Sequence, residues 1–166
     1  PPLALMTYYN PMLRMGLERV AQRACEAGVS GFIVPDMPPD VAGEWLAVAE
    51  GLDTVFLVAP TSTPERLALV GQVSRGFVYC VSTTGVTGER TELPEGLAAT
   101  VAQTRGYTAL PVAVGFGIST PGQAAIVASM ADGVVVGSAI VKRQHDVDEL
   151  RAFVVGLARA VHDRHA

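Results

Sequence analysis

The 166-residue sequence has little cysteine, few charged residues and no long apolar run. Its two cysteines, Cys25 and Cys80, are too few for a disulfide scaffold and lie in no CxxC pair, so a reducing compartment is the default. Charged residues make up 17% of the chain, and its net charge is −4 without a basic stripe, which argues against nucleic acid as a partner. Apolar runs such as Val55–Pro60 are far shorter than the roughly 20 residues that span a membrane. These absences predict a soluble, cytoplasmic, globular protein.

Two common kinds of ligand site are also missing from the pattern. His162 and His165 lie in the polar C-terminal tail and His145 stands apart from any carboxylate or cysteine cluster, so no metal is expected. The dinucleotide fingerprint fails at its third glycine, because Gly115-Phe116-Gly117 continues with Ile118-Ser119-Thr120. Nucleotide binding is therefore not expected either.

Six short β-rich runs alternate with helical patterns along the chain. The predicted strands are Leu3–Thr7, Gly31–Val34, Thr54–Ala59, Phe77–Val81, Val112–Gly115 and Gly133–Gly137. Most runs are continuously apolar, which is typical of strands covered on both faces in a parallel sheet. Thr63-Pro64 and Thr120-Pro121 each place an N-cap before a first-turn proline, and Gly28 ends the helical pattern Leu17–Ala27. This alternation is the βα repeat.

No linker or low-complexity tract interrupts the repeat, so the sequence predicts a single domain. Six βα units could form an open sheet with helices on both faces, or part of an eightfold barrel. A complete (β/α)8 barrel usually needs about 250 residues. A barrel lacking two units would expose strand edges, with Leu3, Leu5 and Met6 on one of them. Such a chain is expected to oligomerise or aggregate.

Three loops that follow predicted strands are rich in glycine: Ser82–Gly88, Gly115–Ser119 and Gly137–Ala139. Loops at the carboxyl ends of parallel strands carry function in βα folds, and glycine lets backbone N–H groups approach an anion. In barrels, the loops after the last two strands are a frequent phosphate site. The alternative is that these glycines only make tight turns.

Seven segments together carry a family resemblance, in the family's order and over nearly the whole chain. They are Met6–Pro11, Ile33–Pro38, Phe56–Thr61, Gly76–Tyr79, Gly85–Gly88, Gly115–Ser119 and Asp132–Ala139. The chain resembles the α subunit of tryptophan synthase. The resemblance implies an α/β fold of the (β/α)8 TIM-barrel family, with about six βα units (strands 3–8) in one N-terminally incomplete domain over residues 1–166.

The resemblance also implies a carbon–carbon lyase of tryptophan biosynthesis. Such an enzyme cleaves indole-3-glycerol phosphate by a retro-aldol step to indole and glyceraldehyde 3-phosphate. The indole would pass to a β subunit in an α2β2 complex. Pyridoxal phosphate (PLP) is expected only on that β subunit, so this chain would need no cofactor.

Site residues are carried over by position from the same resemblance. The substrate phosphate would rest on the backbone amides of Gly88, Gly117, Gly137 and Ser138. The substrate pocket would include Tyr8, Thr87 and Phe116, with Tyr79 in a supporting catalytic role. The face toward the β subunit would include Asn10, Asp36, Pro38 and Pro39.

The family's two catalytic carboxylates, a Glu and an Asp, are expected to precede Pro1. One group must protonate the indole ring carbon while another takes the glycerol hydroxyl proton, and two carboxyl groups of different pKa could divide these roles. The chain would then hold the phosphate-binding part of the site. Two alternatives remain: a catalytically silent fragment that binds phosphate or docks on the β subunit, and another phosphate-binding barrel enzyme.

Two of these residues have a simpler interpretation. Asp36 could be a general base, but an aspartate before Met37-Pro38-Pro39 also suits a turn or the start of a helix. Tyr79 alternates with Phe77 and Val81 on one face of its strand, so it could be an ordinary core tyrosine.

Overall fold

The computed structural model describes residues 1–81, 96–115 and 117–162, which group into two compact units. The first unit comprises 1–58, 62–79 and 107–110, and the described part of the second comprises 59–61, 80–81, 96–106, 111–115 and 117–162. The prediction of a single domain over residues 1–166 therefore stays a prediction, and each unit is described by itself.

The first unit alternates short strands with helices. Its elements are β1 (Ala4–Met6), α1 (Tyr9–Met15), α2 (Leu17–Glu26), β2 (Gly31–Ile33), α3 (Gly43–Val48), β3 (Asp53–Val55), β4 (Leu57–Val58) and α4 (Pro64–Val73). β5 (Val78–Val81) begins in this unit and ends in the second. The predicted run Thr54–Ala59 is two strands, interrupted at Phe56. α1 was not predicted.

A three-stranded parallel sheet with the order β1-β2-β3 forms the centre of the first unit. Leu5 of β1 pairs with Phe32 of β2, which in turn pairs with Thr54 of β3. β2 is buried along its length, whereas the edge strand β1 is exposed along its length. The burial of β2 confirms the expectation from continuous apolar runs. The exposure of β1 departs from that expectation and agrees with the prediction that Leu3, Leu5 and Met6 lie on an exposed strand edge.

Trp45 of α3 anchors the core beneath this sheet. Its ring packs edge-on against Phe32, with the ring centroids 5.0 Å apart. The indole Nε1–H donates to Thr54 Oγ1 at 3.0 Å, so the buried polar group of each residue has a partner. A fully buried tryptophan of this kind contributes a large apolar area without leaving its N–H unsatisfied.

The second unit contains β6, β7 and the remaining helices. They are α5 (Leu97–Arg105), β6 (Val112–Gly115), α6 (Pro121–Ala128), β7 (Gly133–Val134), α7 (Ser138–Val141) and α8 (Val147–His162). β6 and β7 are parallel, with Val114 paired to Val134, and β6 is buried along its length. The predicted boundaries of β6 are confirmed, while β7 is shorter than the predicted run Gly133–Gly137.

The helix signals read from the sequence are confirmed in both units. Thr63 Oγ1 accepts the backbone N–H of Arg66 at the start of α4, and Thr120 Oγ1 accepts that of Gln123 at the start of α6. Gly28 has φ +73°, the left-handed conformation expected after α2. These are local devices, which is why the sequence pattern predicts them well.

Candidate functional site

The carboxyl ends of β6 and β7 form the first candidate region. Because the two strands are parallel and paired, their ends lie at the same edge. Gly117 follows β6 with φ +79°, and Gly137 precedes α7 with φ −113°. A Cβ atom added at either glycine would meet no described atom within 4 Å, apart from the neighbouring residues in the chain. With respect to the described residues, the backbone is therefore open on that side at both turns.

This geometry separates the two roles considered for the glycines. Gly117 has the left-handed conformation that a tight turn favours, so a turn alone explains it. Gly137 has neither a positive φ nor a described neighbour close enough to exclude a side chain. An anion at this turn is compatible with glycine at 137, because backbone N–H groups in such turns bind anions without a net positive charge.

A buried glutamine fixes the turn after β6. Gln123 is only 6% exposed, and its Oε1 accepts the backbone N–H groups of Ser119 and Thr120 at 2.8 and 3.2 Å. The same atom accepts the hydroxyl of Ser119 at 3.2 Å. Gln123 is not among the site residues predicted from the sequence. One signal in the sequence does point to it. Thr-Pro-Gly-Gln is a capping-box pattern, with glutamine at the third helical position.

Asp132 makes a hydrogen bond at the amino ends of the same two strands. Asp132 Oδ2 accepts the N–H of Val112 at 2.8 Å, at the start of β6, and Oδ1 pairs with Arg105 at 2.8 Å. The hydrogen bond from Val112 is the main reason why the pKa of Asp132 lies below its usual value, and Arg105 adds to it. Residues at this end of barrel strands contribute stability rather than chemistry.

In the first unit, Asp36 lies after β2 and acts at the start of α1. Its Oδ1 accepts the backbone N–H of Tyr9, the first residue of α1, at 2.8 Å. Tyr8, the N-cap residue, makes no capping bond with its own side chain, so Asp36 supplies it across 27 positions of sequence. Asp36 itself lies in a turn, in which the N–H of Met37 donates to the carbonyl of Val34 at 3.2 Å. The structure thus supports the turn interpretation over the general base, and the cap on α1 is a contact that the sequence did not predict.

The residues assigned to the β-subunit face differ in exposure. Tyr8, assigned to the pocket, is 66% exposed, and Asn10 and Asp36 are also exposed. Pro38 is half-buried and Pro39 is buried. Of the four face residues, Pro39 is thus placed to support the loop from inside rather than to meet a partner.

Tyr79 lies in the buried strand β5. Its side chain is 3% exposed, and its backbone N–H donates to the carbonyl of Phe56 at 3.0 Å. Burial raises the pKa of Tyr79 to about 12, so the hydroxyl keeps its proton near neutral pH. It can donate a hydrogen bond there but cannot serve as a base. The supporting role and the core role both remain open.

Three predicted site residues, Gly88, Thr87 and Phe116, lie outside the described residues. Within the described ranges, no group of three or more His, Cys, Asp or Glu side chains could hold a metal ion. The helices of those ranges also include none that is both long and apolar enough to cross a membrane.

Comparison with known proteins decides the family. A family model described as tryptophan synthase alpha chain matches residues 1–163. The chain belongs to the tryptophan synthase alpha chain family. The family resemblance read from the seven segments is therefore confirmed.

Individual members of the family agree in sequence and in structure. The tryptophan synthase alpha chain of Pelobacter propionicus is 50% identical over 168 residues, covering 96% of this chain and 63% of that protein. Tryptophan synthase from Mycobacterium tuberculosis matches in structure with a TM-score of 0.89 and 45% identity, covering 96% of this chain and 62% of that one. The chain thus spans less than two thirds of these relatives, and the TIM-barrel fold class predicted for it is confirmed.

A third match is to an assembly. The tryptophan synthase α2β2 complex from the hyperthermophile Pyrococcus furiosus matches with a TM-score of 0.81 and 38% identity, covering 96% of this chain and 66% of that one.

Proposed function

We propose that this chain is the substrate-phosphate end of a tryptophan synthase α subunit, which cleaves indole-3-glycerol phosphate to indole and glyceraldehyde 3-phosphate. The observation that carries the proposal is the pair of open glycine turns at the neighbouring ends of β6 and β7. Membership of the family supports the choice of substrate.

The phosphate would be held by backbone amides. Gly117, Gly137 and Ser138 would donate their N–H groups, and Gly88 would add another. An amide that donates to a charged oxygen makes a stronger hydrogen bond than a neutral pair does. No arginine or lysine is needed for this binding, which agrees with the acidic net charge of the chain.

The cleavage itself needs an acid and a base. An acid protonates the indole ring carbon, a base removes the glycerol hydroxyl proton, and the carbon–carbon bond breaks between them. We assign those two groups to the family's carboxylates, outside these 166 residues. Tyr79 would assist as a neutral hydroxyl, because a tyrosine is protonated near neutral pH and burial raises its pKa further. Tyr8 and Phe116 would help to wall the indole, and Thr87 would belong to the same substrate pocket.

A β subunit is the proposed partner and the proposed acceptor of indole. The match to the α2β2 complex from Pyrococcus furiosus supports it. Asn10, Asp36 and Pro38 are at least partly exposed and would lie on the face toward the β subunit, with Pro39 behind them. PLP would belong to the β subunit, and this chain would carry no cofactor of its own.

Binding of glycerol 3-phosphate tests the proposal directly. We expect Gly137→Ala to weaken its affinity about tenfold or more in a calorimetric titration, because a methyl group would displace an anion held by amides there. Gly43→Ala is the matched control. Gly43 also has open space for a Cβ and no positive φ, but it lies in α3.

The outcomes are distinct. Equal affinity in Gly137→Ala and wild type would contradict the phosphate assignment. Wild-type affinity in Gly43→Ala, with a loss in Gly137→Ala, would support it. Indole release from indole-3-glycerol phosphate is expected only when the missing carboxylates are present in the protein assayed.

A further inference from the structure

The helix that follows Gly137 is too short to be stable by itself. α7 has only four residues, Ser138–Val141, and begins directly after Gly137. An isolated helix generally needs about 12–15 residues before it forms in water. The position of α7, and with it the direction of the amides at its start, must therefore depend on contacts from outside the helix.

Arg143 closes the carboxyl end of α7. The backbone N–H of Arg143 donates to the carbonyl of Ile140 at 3.0 Å instead of continuing the helix to Ala139. The carbonyl of Ala139 accepts from the guanidinium instead, with Nη1 of Arg143 at 2.7 Å. A basic side chain that caps the last carbonyls in this way stabilises the end of a helix.

The same guanidinium reaches two side chains of α8. Nε of Arg143 lies 3.2 Å from Oε1 of Glu149, and its Cζ lies 4.1 Å from the centre of the Phe153 ring. The planar, many-donor guanidinium can satisfy a carbonyl, a carboxylate and a ring face at once, whereas the single ammonium group of lysine cannot. Arg143 thus joins α7 to the longest helix among the described residues.

We infer that Arg143 is a positioning residue for the turn at Gly137 and Ser138, which the proposed function assigns to the substrate phosphate and which is called the phosphate turn below. By fastening α7 to α8, it sets the direction of the N–H groups of Gly137 and Ser138. The hydrogen bonds from Val141 to Gly137 and from Lys142 to Ser138 transmit this constraint to the turn. The inference rests on the proposed function, because the ligand of the turn is the substrate phosphate.

Two measurements on the whole chain test the inference. Amide hydrogen exchange at Val141 and Lys142, without ligand, reports whether α7 is held. Titration with glycerol 3-phosphate reports whether the turn binds it. In Arg143→Ala we expect exchange at these two amides to rise about tenfold and affinity to fall severalfold, while the amide of Ala124 in α6 is unchanged.

Two further variants sharpen the result. Arg143→Lys keeps the positive charge but lacks the planar guanidinium group. Its exchange rates and its affinity should therefore lie closer to those of Arg143→Ala than to those of wild type. Arg66→Ala is the matched control, since Arg66 is similarly exposed and pairs with Asp40 at 2.7 Å on another part of the chain. It should leave both measurements as they are in wild type.

Each result has one meaning. Wild-type exchange and wild-type affinity in Arg143→Ala would overturn the inference. A rise in exchange that includes Ala124 would also overturn it, because Arg143 would then stabilise the whole unit rather than position the turn. If the wild-type chain binds no glycerol 3-phosphate, the proposed function fails, and the role of Arg143 at a phosphate turn fails with it. Raised exchange confined to α7 would in that case identify Arg143 as a structural clamp only.

Discussion

The two candidate regions are built in opposite ways. In the second unit, the ends of β6 and β7 lie next to Gly117 and Gly137, where no described atom approaches the position of a Cβ. The buried Gln123 accepts hydrogen bonds from the turn after β6 and so stabilises it. In the first unit, the residues after β1 and β2 present side chains, with Tyr8, Asn10 and Asp36 exposed. Backbone amides can orient an anion only if the turn is rigid, whereas exposed side chains can adapt to a partner surface.

The strands differ between the units as well. Leu5, in the middle of β1, is 40% exposed, whereas Val114, in β6, is fully buried. Substitution of lysine at each position tests this difference in burial. The effect of Val114→Lys on stability is the largest that we expect. Val114→Lys should unfold the chain, because an unpaired buried charge costs several kcal/mol. Leu5→Lys should keep the fold and reduce the self-association expected of an exposed apolar edge.

Circular dichroism with urea unfolding measures the first effect, and sedimentation velocity measures the second. Comparable unfolding by both lysine variants would contradict the contrast between the strands. A wild-type chain that sediments as a single monomer would refute the predicted association.

The two supporting side chains provide the next comparison. Gln123→Ala should lower the free energy of unfolding by about 2 kcal/mol, because the backbone N–H groups of Ser119 and Thr120 lose the acceptor that the buried Gln123 supplies. Asp36→Ala should lower it by only about 1 kcal/mol, since Asp36 is exposed and accepts one N–H. Urea unfolding of both variants measures the difference.

Conservative variants serve as controls for this pair. Gln123→Glu and Asp36→Asn keep an acceptor oxygen and should recover most of the lost stability. Asp36→Asn also decides the role of this residue in catalysis. If a longer protein that contains the family's carboxylates and carries Asp36→Asn were stable but inactive, a purely structural role for Asp36 would be contradicted.

The smallest expected effect concerns Asp132, which pairs with Arg105 and accepts the N–H of Val112 at the start of β6. Because folding lowers the pKa of Asp132, its ionised form stabilises the fold above the usual carboxyl pKa of about 3.9, and this contribution is lost as the pH falls through the lowered value. The difference in unfolding free energy between wild type and Asp132→Asn should thus be constant above about pH 5 and shrink at lower pH.

Urea unfolding at several pH values from about 2 to about 7, a range that extends below and above that carboxyl pKa, checks this expectation. Asp40→Asn is the control, because it breaks only the exposed ion pair with Arg66. The same pH profile in both variants would mean that ion pairing, and not the hydrogen bond from Val112, is responsible.

Much of the local structure could be predicted from the sequence. The threonine caps before Pro64 and Pro121 and the left-handed Gly28 depend on neighbouring residues only. The bounds of strand β6 are predicted to the residue, because three apolar residues lie between Pro111 and Gly115. The run Thr54–Ala59 was predicted as one strand, because a periodic pattern does not show where backbone pairing is interrupted.

The amino-acid sequence by itself determined the family, the βα alternation and the helix caps, since all of these depend on residue type and short spacing. The tertiary structure alone decided which side chains support the candidate regions. Asp36 reaches Tyr9, Asp132 reaches Arg105, and Arg143 joins two helices. Such contacts depend on how whole elements pack, and packing brings together residues that lie far apart in the sequence or on different elements.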